Sequence, residues 1–432
     1  MSHPRLIRSV GLFSLTALAV NNTVGSGILV LPAQVAQLLG RSAMWGYVIA
    51  ATAIALTTLC FAEAGSLFEQ SGGPYLYARA AFGELAGFEV GLMIVLARTL
   101  AIAAVSNAFA GYLAVLWAPA AGGAGRALVI TALIGALTAI NLWGVRYGAW
   151  ASNALTVSKL APLLLFVAAG LFALDPQRGP VWEFPRAAGL SQAALLLVFA
   201  FGGFEMASIP GEEIIHPKRN VGVALMAAVA IVTALYLGIQ YVAQGTLPGL
   251  ATSATPLEAA SRNFLGPSGA LLLTVGAILS TTGTNSSILL LGPRLIYGMA
   301  ETGSLPSVFA RVHPRYRTPY IAIGTVSGLG WICALYGGFA GLAAVSAIAR
   351  TIAYMATCAS VPVLRHKFPD VPRLLRIPGG PAIPLAAVAI FAWVLSGSSA
   401  GQFAASAGVL AAGALFHFGY GAITRRSRPA GP

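Results

Sequence analysis

Two stretches of this sequence place glycines beside hydrogen-bonding residues in the middle of long apolar runs. The first is Asn21-Asn22-Thr23-Val24-Gly25-Ser26-Gly27-Ile28, followed by Pro32, and the second is Phe199-Ala200-Phe201-Gly202-Gly203-Phe204-Glu205, followed by Pro210-Gly211. Glycine pairs free the backbone to leave helical geometry. A helix interrupted there presents N–H groups at the start of one half, suited to an anion, and carbonyls at the end of the other, suited to a cation. This is chemistry for holding a small zwitterion rather than for making or breaking bonds. Arg98, Lys159, Glu205 and Arg350 also lie inside apolar runs, and an ionisable residue at membrane depth is a functional candidate by default. Glu205 can touch a substrate, satisfy the freed backbone of its own segment, or pair across the bundle. The two arginines read as buried pairing residues or gate elements. Lys159, in Ser158-Lys159-Leu160-Ala161-Pro162, is open to two readings. Burial disfavours its charged form, so it could exchange a proton, and its long side chain could instead reach the membrane interface.

Other chemistry is not signalled. His3, His216, His313, His366 and His417 have no second histidine, cysteine or carboxylate at ligand spacing, so no metal is expected. No P-loop pattern is present, which argues against ATP-driven work. Serine, histidine and acidic residues do not converge on an enzyme site, and no cofactor is expected. Cys60, Cys333 and Cys358 fall within or beside apolar runs and imply no disulfide framework.

The elements that must carry these breaks follow from composition. The 432 residues are 57% hydrophobic and 9% charged, with 50 glycines; a soluble domain carries about 25% charge. Mean hydropathy is +0.81. The formal charge of +13 would suit nucleic acid in a soluble chain. Here the basic residues lie in short segments between apolar runs, the pattern that sets topology in a bilayer. Runs long enough to span occur at about 10–37, 44–68, 86–116, 127–144, 151–174, 191–214, 221–244, 267–298, 320–338, 341–364, 382–397 and 401–421. The pattern thus predicts an all-α membrane protein of twelve transmembrane helices forming one domain over 1–432. Of the 25 lysines and arginines, seventeen fall on the side of the N-terminus, five on the other and three within spans. Both termini are therefore expected in the cytoplasm. Arg5 and Arg8 ahead of an apolar run do not read as a signal peptide, because that run is too long and contains Asn21-Asn22-Thr23.

The interrupted runs are the first and the sixth. Matched broken helices in two halves of a chain point to a transporter's midplane site. They imply inverted five-helix repeats over about 10–174 and 191–364, with two appended helices over about 382–421.

With that layout, the Gly25-Ser26-Gly27-Ile28 break, Ser71-Gly72-Gly73-Pro74-Tyr75-Leu76-Tyr77, Phe201-Gly202-Gly203-Phe204-Glu205, Glu212-Glu213-Ile214 and Pro217-Lys218-Arg219-Asn220 together resemble the amino acid/polyamine/organocation transporter superfamily, of the amino acid permease type. The resemblance covers essentially the whole chain; His216 departs from it, standing where the family usually has asparagine. It implies secondary active transport of amino acids by alternating access in the cytoplasmic membrane, and the residues around the breaks bias the substrate to neutral ones, since no acidic residue is placed to recognise a cationic side chain. The substrate's carboxylate would meet backbone N–H groups around Ser26, Gly27 and Ile28, beside Asn22 and Gly25. Its ammonium would meet carbonyls around Phe199, Ala200 and Gly202, with Phe199 or Phe201 closing over it. In the proton-coupled members that the chain resembles, a lysine at the place of Lys159 stands where sodium-driven relatives hold their ion. Lys159 would then touch the carbonyls near Gly25, with Ser280 or Thr281 close by. A cationic amino acid or polyamine exchanger keyed by Glu205 remains an alternative, and a channel is the alternative of a different class. The expected partners are an amino acid, a proton and the bilayer, not nucleic acid. Gly27→Val is expected to block the carboxylate while leaving folded protein.

Overall fold

The computed structural model describes residues 10–68, 73–143, 149–208, 214–371, 373 and 375–426. Ser71, Gly72, Pro210, Gly211, Glu212 and Glu213 of the motifs above, and Arg5, Arg8, Arg146 and Arg428 of the charge pattern, lie outside the described residues. In hydrocarbon, backbone N–H and C=O groups must find partners within the chain, which a helix provides segment by segment. Accordingly the described residues form fourteen α-helices and no strand, with one isolated bridge between Val10 and Ile214.

The first apolar run is two helices, α1 (Leu12–Thr23) and α2 (Ser26–Leu39), bent by 46° at Val24-Gly25. The next elements are α3 (Met44–Gly65), α4 (Pro74–Phe82), α5 (Glu84–Leu113), α6 (Gly123–Leu142) and α7 (Ala149–Gly170). The second half brings α8 (Ala187–Phe201), a 3-10 turn over Phe204–Ser208, α9 (Pro217–Thr246), α10 (Pro256–Glu301), α11 (Tyr320–Tyr336) and α12 (Phe339–Lys367). Finally come α13 (Ala382–Leu395) and α14 (Ala400–Arg426). Within α10 the backbone is non-helical at Gly266, ahead of Pro267, so the apolar run starting at 267 is a helix of its own. The short α4 has no counterpart among the expected spans. Its residues, among them Tyr75, Tyr77 and Arg79, fall between the second and third apolar runs, and Pro74 in its first turn starts the helix without wasting an N–H.

Seven of these helices, α3, α5, α6, α9, α10, α12 and α14, are long and apolar enough to cross a membrane, and eight spans result if the bent pair α1–α2 is one. The apolar helices α8, α11 and α13 and the Ser158–Gly170 part of α7 are shorter. Burial sorts the bundle. The long helix α5 has Met93, Ile102, Ala103 and Ala104 sealed inside and packs against α10, α11 and α12. On α14, by contrast, Leu415 and Phe418 are exposed, as apolar side chains facing lipid would be. The broken pair α1–α2 sits inside, against α8, α9 and α10.

Candidate functional site

The two interruptions meet backbone to backbone. At Gly203, φ is +134°, a region that only glycine enters without strain. A Cβ built there would lie 2.1 Å from the Asn22 carbonyl oxygen. Across the other end of the break, a Cβ on Gly27 would lie 2.5 Å from Ala200 Cα. Helix α8 stops at Phe201, and Gly202 takes an extended conformation. The Tyr236 hydroxyl on α9 fastens both breaks, lying 3.0 Å from the Thr23 carbonyl and 3.1 Å from that of Ala200. A tyrosine buried in an apolar span usually finds such a partner for its hydroxyl.

A small cavity, about 20 Å³ in volume, opens where the breaks meet, walled by Asn22, Thr23, Gly25, Ser26, Gly27, Phe199, Ala200 and Gly202 from the broken segments. Arg98 and Ala101 on α5, Thr284 on α10 and Arg350 on α12 complete much of its wall. The first turn of α2 begins at this cavity without a side-chain cap, and a helix's first N–H groups have no intrahelical partner. Ser26 Oγ and Asn22 Nδ2 are buried with no hydrogen-bond partner. The carbonyl side is partly engaged: Phe199 accepts from Gly202 N–H at 3.2 Å, and Ala200 accepts from Tyr236, which leaves each oxygen a second lone pair.

Of the residues singled out from the sequence, Ile28, Phe201 and Glu205 are buried but do not wall the cavity. Phe201 packs on Tyr236 with ring centroids 5.0 Å apart, while Phe199 faces the cavity and meets Phe339 edge-on at 5.8 Å. Glu205 is the hub of a charge cluster. Its Oε1 accepts from Arg98 Nη2 at 2.5 Å and from Arg350 Nη1 at 3.2 Å, and its Oε2 accepts from the Tyr354 hydroxyl at 2.7 Å and from Gly203 N–H at 2.8 Å. This carboxylate thus holds the second break and two cations. The sequence could not name partners for Arg98 and Arg350; the structure gives both the same one.

Lys159 is sealed inside, with Nζ 3.2 Å from the Asn21 carbonyl and 3.0 Å from Thr284 Oγ1. The contact is to the carbonyl end of α1, and the bonded hydroxyl is that of Thr284. Thr281 turns to the Ala277 carbonyl and Ser280 lines a small void beside Lys159, so Thr284, one turn past Ser280, is the hydroxyl within reach. Thr284 also walls the main cavity and therefore links the lysine to it. Among the described residues no group of three or more histidine, cysteine and acidic side chains is placed to hold a metal ion.

The position of Gly27 changes what its substitution does. A valine's methyls would strike Ala200 before reaching a ligand, so packing between α2 and α8 is lost first. Overpacking costs about 1–3 kcal/mol, sometimes more. Gly27→Ala should lower the unfolding midpoint, and Gly27→Val should lower it further, with ligand binding lost in the same order. A valine variant as stable as the parent would show that α2 and α8 separate freely.

The pattern of the amino acid permease family matches residues 10–415, and the chain belongs to that family. It is accordingly a multi-pass membrane transport protein. Among similar proteins, a methylthioribose transporter of Bacillus subtilis is 29% identical, over 90% of this chain and 88% of its own length. The branched-chain amino acid permease BcaP of the same bacterium is also 29% identical, over 88% of this chain and 85% of its own. Cationic amino acid transporter 9 of Arabidopsis thaliana, a chloroplastic protein, is 27% identical over 72% of this chain and 58% of its own length.

Proposed function

We propose that this chain is a secondary active carrier that moves amino acids by alternating access. The observation that carries the reading is the junction of the two breaks, with uncapped N–H groups of α2, Ser26 Oγ and Asn22 Nδ2 unspent around one cavity. The α-carboxylate binds at the amides of Ser26, Gly27 and Ile28, and the ammonium at the carbonyls of Phe199, Ala200 and Gly202. Phe199, rather than Phe201, closes over the substrate, since only Phe199 walls the cavity.

In this reading the single domain has twelve spans: α1–α2 as one, then α3, α5, α6, α7, α8 with its 3-10 turn, α9, α10, α11, α12, α13 and α14. The first ten form inverted five-span repeats and both termini are cytoplasmic. One bundle rocks against the rest around the fixed site. Lys159 couples a proton to the cycle through Asn21 and Thr284.

A cationic cargo, which the name of one relative suggests, fits poorly. It would need a free carboxylate at the cavity, and Glu205 is spent on Arg98, Arg350, Tyr354 and Gly203. Purified protein in liposomes should take up labelled amino acid in a saturable manner. Uptake should be faster when the lumen is preloaded with the same compound unlabelled. A large unitary current without such counterflow would replace the carrier by a channel.

A further inference from the structure

The cavity wall has an unbalanced charge. Arg98 and Arg350 both line it, each only 4% exposed, and the sole carboxylate in contact with either among the described residues is Glu205. Two guanidinium groups against one carboxylate leave a fixed excess of one positive charge. Lys159, on the far side of Thr284, can only add to it. An uncompensated charge away from water is costly, so the cavity is completed by whatever brings a negative one.

The guanidinium groups are also placed and supplied to receive it. Each spends one terminal nitrogen on Glu205, and Nε of Arg98 and of Arg350 is buried with no partner. Arg350 lies directly on the second break: a Cβ on Gly202 would fall 1.7 Å from its Nη1. The glycine therefore makes room for the arginine beside the proposed ammonium site. Arg98 approaches from α5 and Arg350 from α12, and Glu205 holds the two side by side. A planar guanidinium with free N–H groups binds a carboxylate through charge-assisted hydrogen bonds. A zwitterion with a neutral side chain leaves the excess charge unmet, and one with a cationic side chain doubles it.

We infer that the preferred substrate is a small amino acid with an acidic side chain, whose second carboxylate is received by Arg98 and Arg350. The inference rests on the carrier reading and sharpens its substrate class. Glu205 is the positioning residue that keeps the two arginines together.

The test compares isosteric pairs that differ in charge alone: aspartate with asparagine and glutamate with glutamine. It uses thermal stabilisation of the full-length purified protein and competition for uptake in liposomes, in chloride-free buffer. The acid of each pair should bind at least about tenfold tighter than its amide, the scale of a hydrogen bond to a charged group. Arg350→Gln should erase that ratio. If the amides bind the parent protein as well as the acids do, the acidic class is wrong and the carrier reading stands. The acidic class is equally wrong if added chloride is needed before neutral amino acids bind tightly, because an inorganic anion then meets the charge. If no amino acid binds or exchanges, the carrier reading fails and takes this one with it. Should Arg350→Gln not fold, the comparison on the parent protein decides alone.

Discussion

Glu205→Gln should remove about 3–5 kcal/mol of stability, the cost of breaking a buried ion pair by deleting one partner. The glutamine keeps the shape and still offers an oxygen to Gly203 N–H and the Tyr354 hydroxyl, but Arg98 and Arg350 are left as two unpaired charges in the interior. A double variant separates charge from shape. Glu205→Gln with Arg350→Gln restores the parent's excess of one positive charge, so it should recover a substantial part of the loss. Arg350→Gln alone leaves Glu205 paired with Arg98 at 2.5 Å and should be milder than Glu205→Gln. Denaturant or thermal unfolding in detergent reads all three. A Glu205→Gln variant within about 1 kcal/mol of the parent, the range of an exposed pair, would mean that the cluster is wetter than its burial indicates.

This cluster also shows what the sequence could and could not disclose. The breaks were legible because their signal is local: glycines inside an apolar run, as at Gly25-Ser26-Gly27 and Gly202-Gly203. The ion pairs were not, since Glu205 is 107 residues from Arg98 and 145 from Arg350. Pairing across three helices leaves no periodic trace. One clue was present in the charges themselves, because two arginines and a lysine within spans each demand a partner or a task. Phe199 and Phe201 illustrate a finer limit. Residues two apart on a helix point about 200° apart at 3.6 residues per turn, so one faces the cavity and the other Tyr236. Composition alone does not fix that rotation. Tyr236 was missed for the same reason as the arginines, its partners being carbonyls of two other segments. The family resemblance pointed Lys159 to the α1 carbonyls and to the neighbourhood of Ser280, but the hydroxyl it bonds is that of Thr284, which lies on the same face of α10 as Ser280 and one turn further along.

Lys159 is the place where a proton and the substrate would be linked. Its ammonium has three donors, of which the Asn21 carbonyl and Thr284 Oγ1 take two. Asn21 belongs to the carbonyl end of α1, where the helix dipole favours a cation. The charged lysine therefore pins the first break in its observed shape, and losing the proton would release it. Lys159→Ala removes both contacts. Hydrogen bonds to charged groups contribute about 1.5–3 kcal/mol, so substrate affinity should fall by roughly 10- to 150-fold. The more telling readout is pH. Uptake driven by an imposed pH gradient should become indifferent to that gradient in the variant, while counterflow at equal pH persists at a reduced rate. Lys159→Gln can still donate to one carbonyl but cannot carry a proton through the cycle. It should regain affinity relative to alanine without regaining the response to pH. An alanine variant that is slow yet keeps the parent's pH profile would make Lys159 a structural ammonium, and the coupling site would have to be sought elsewhere along the bundle.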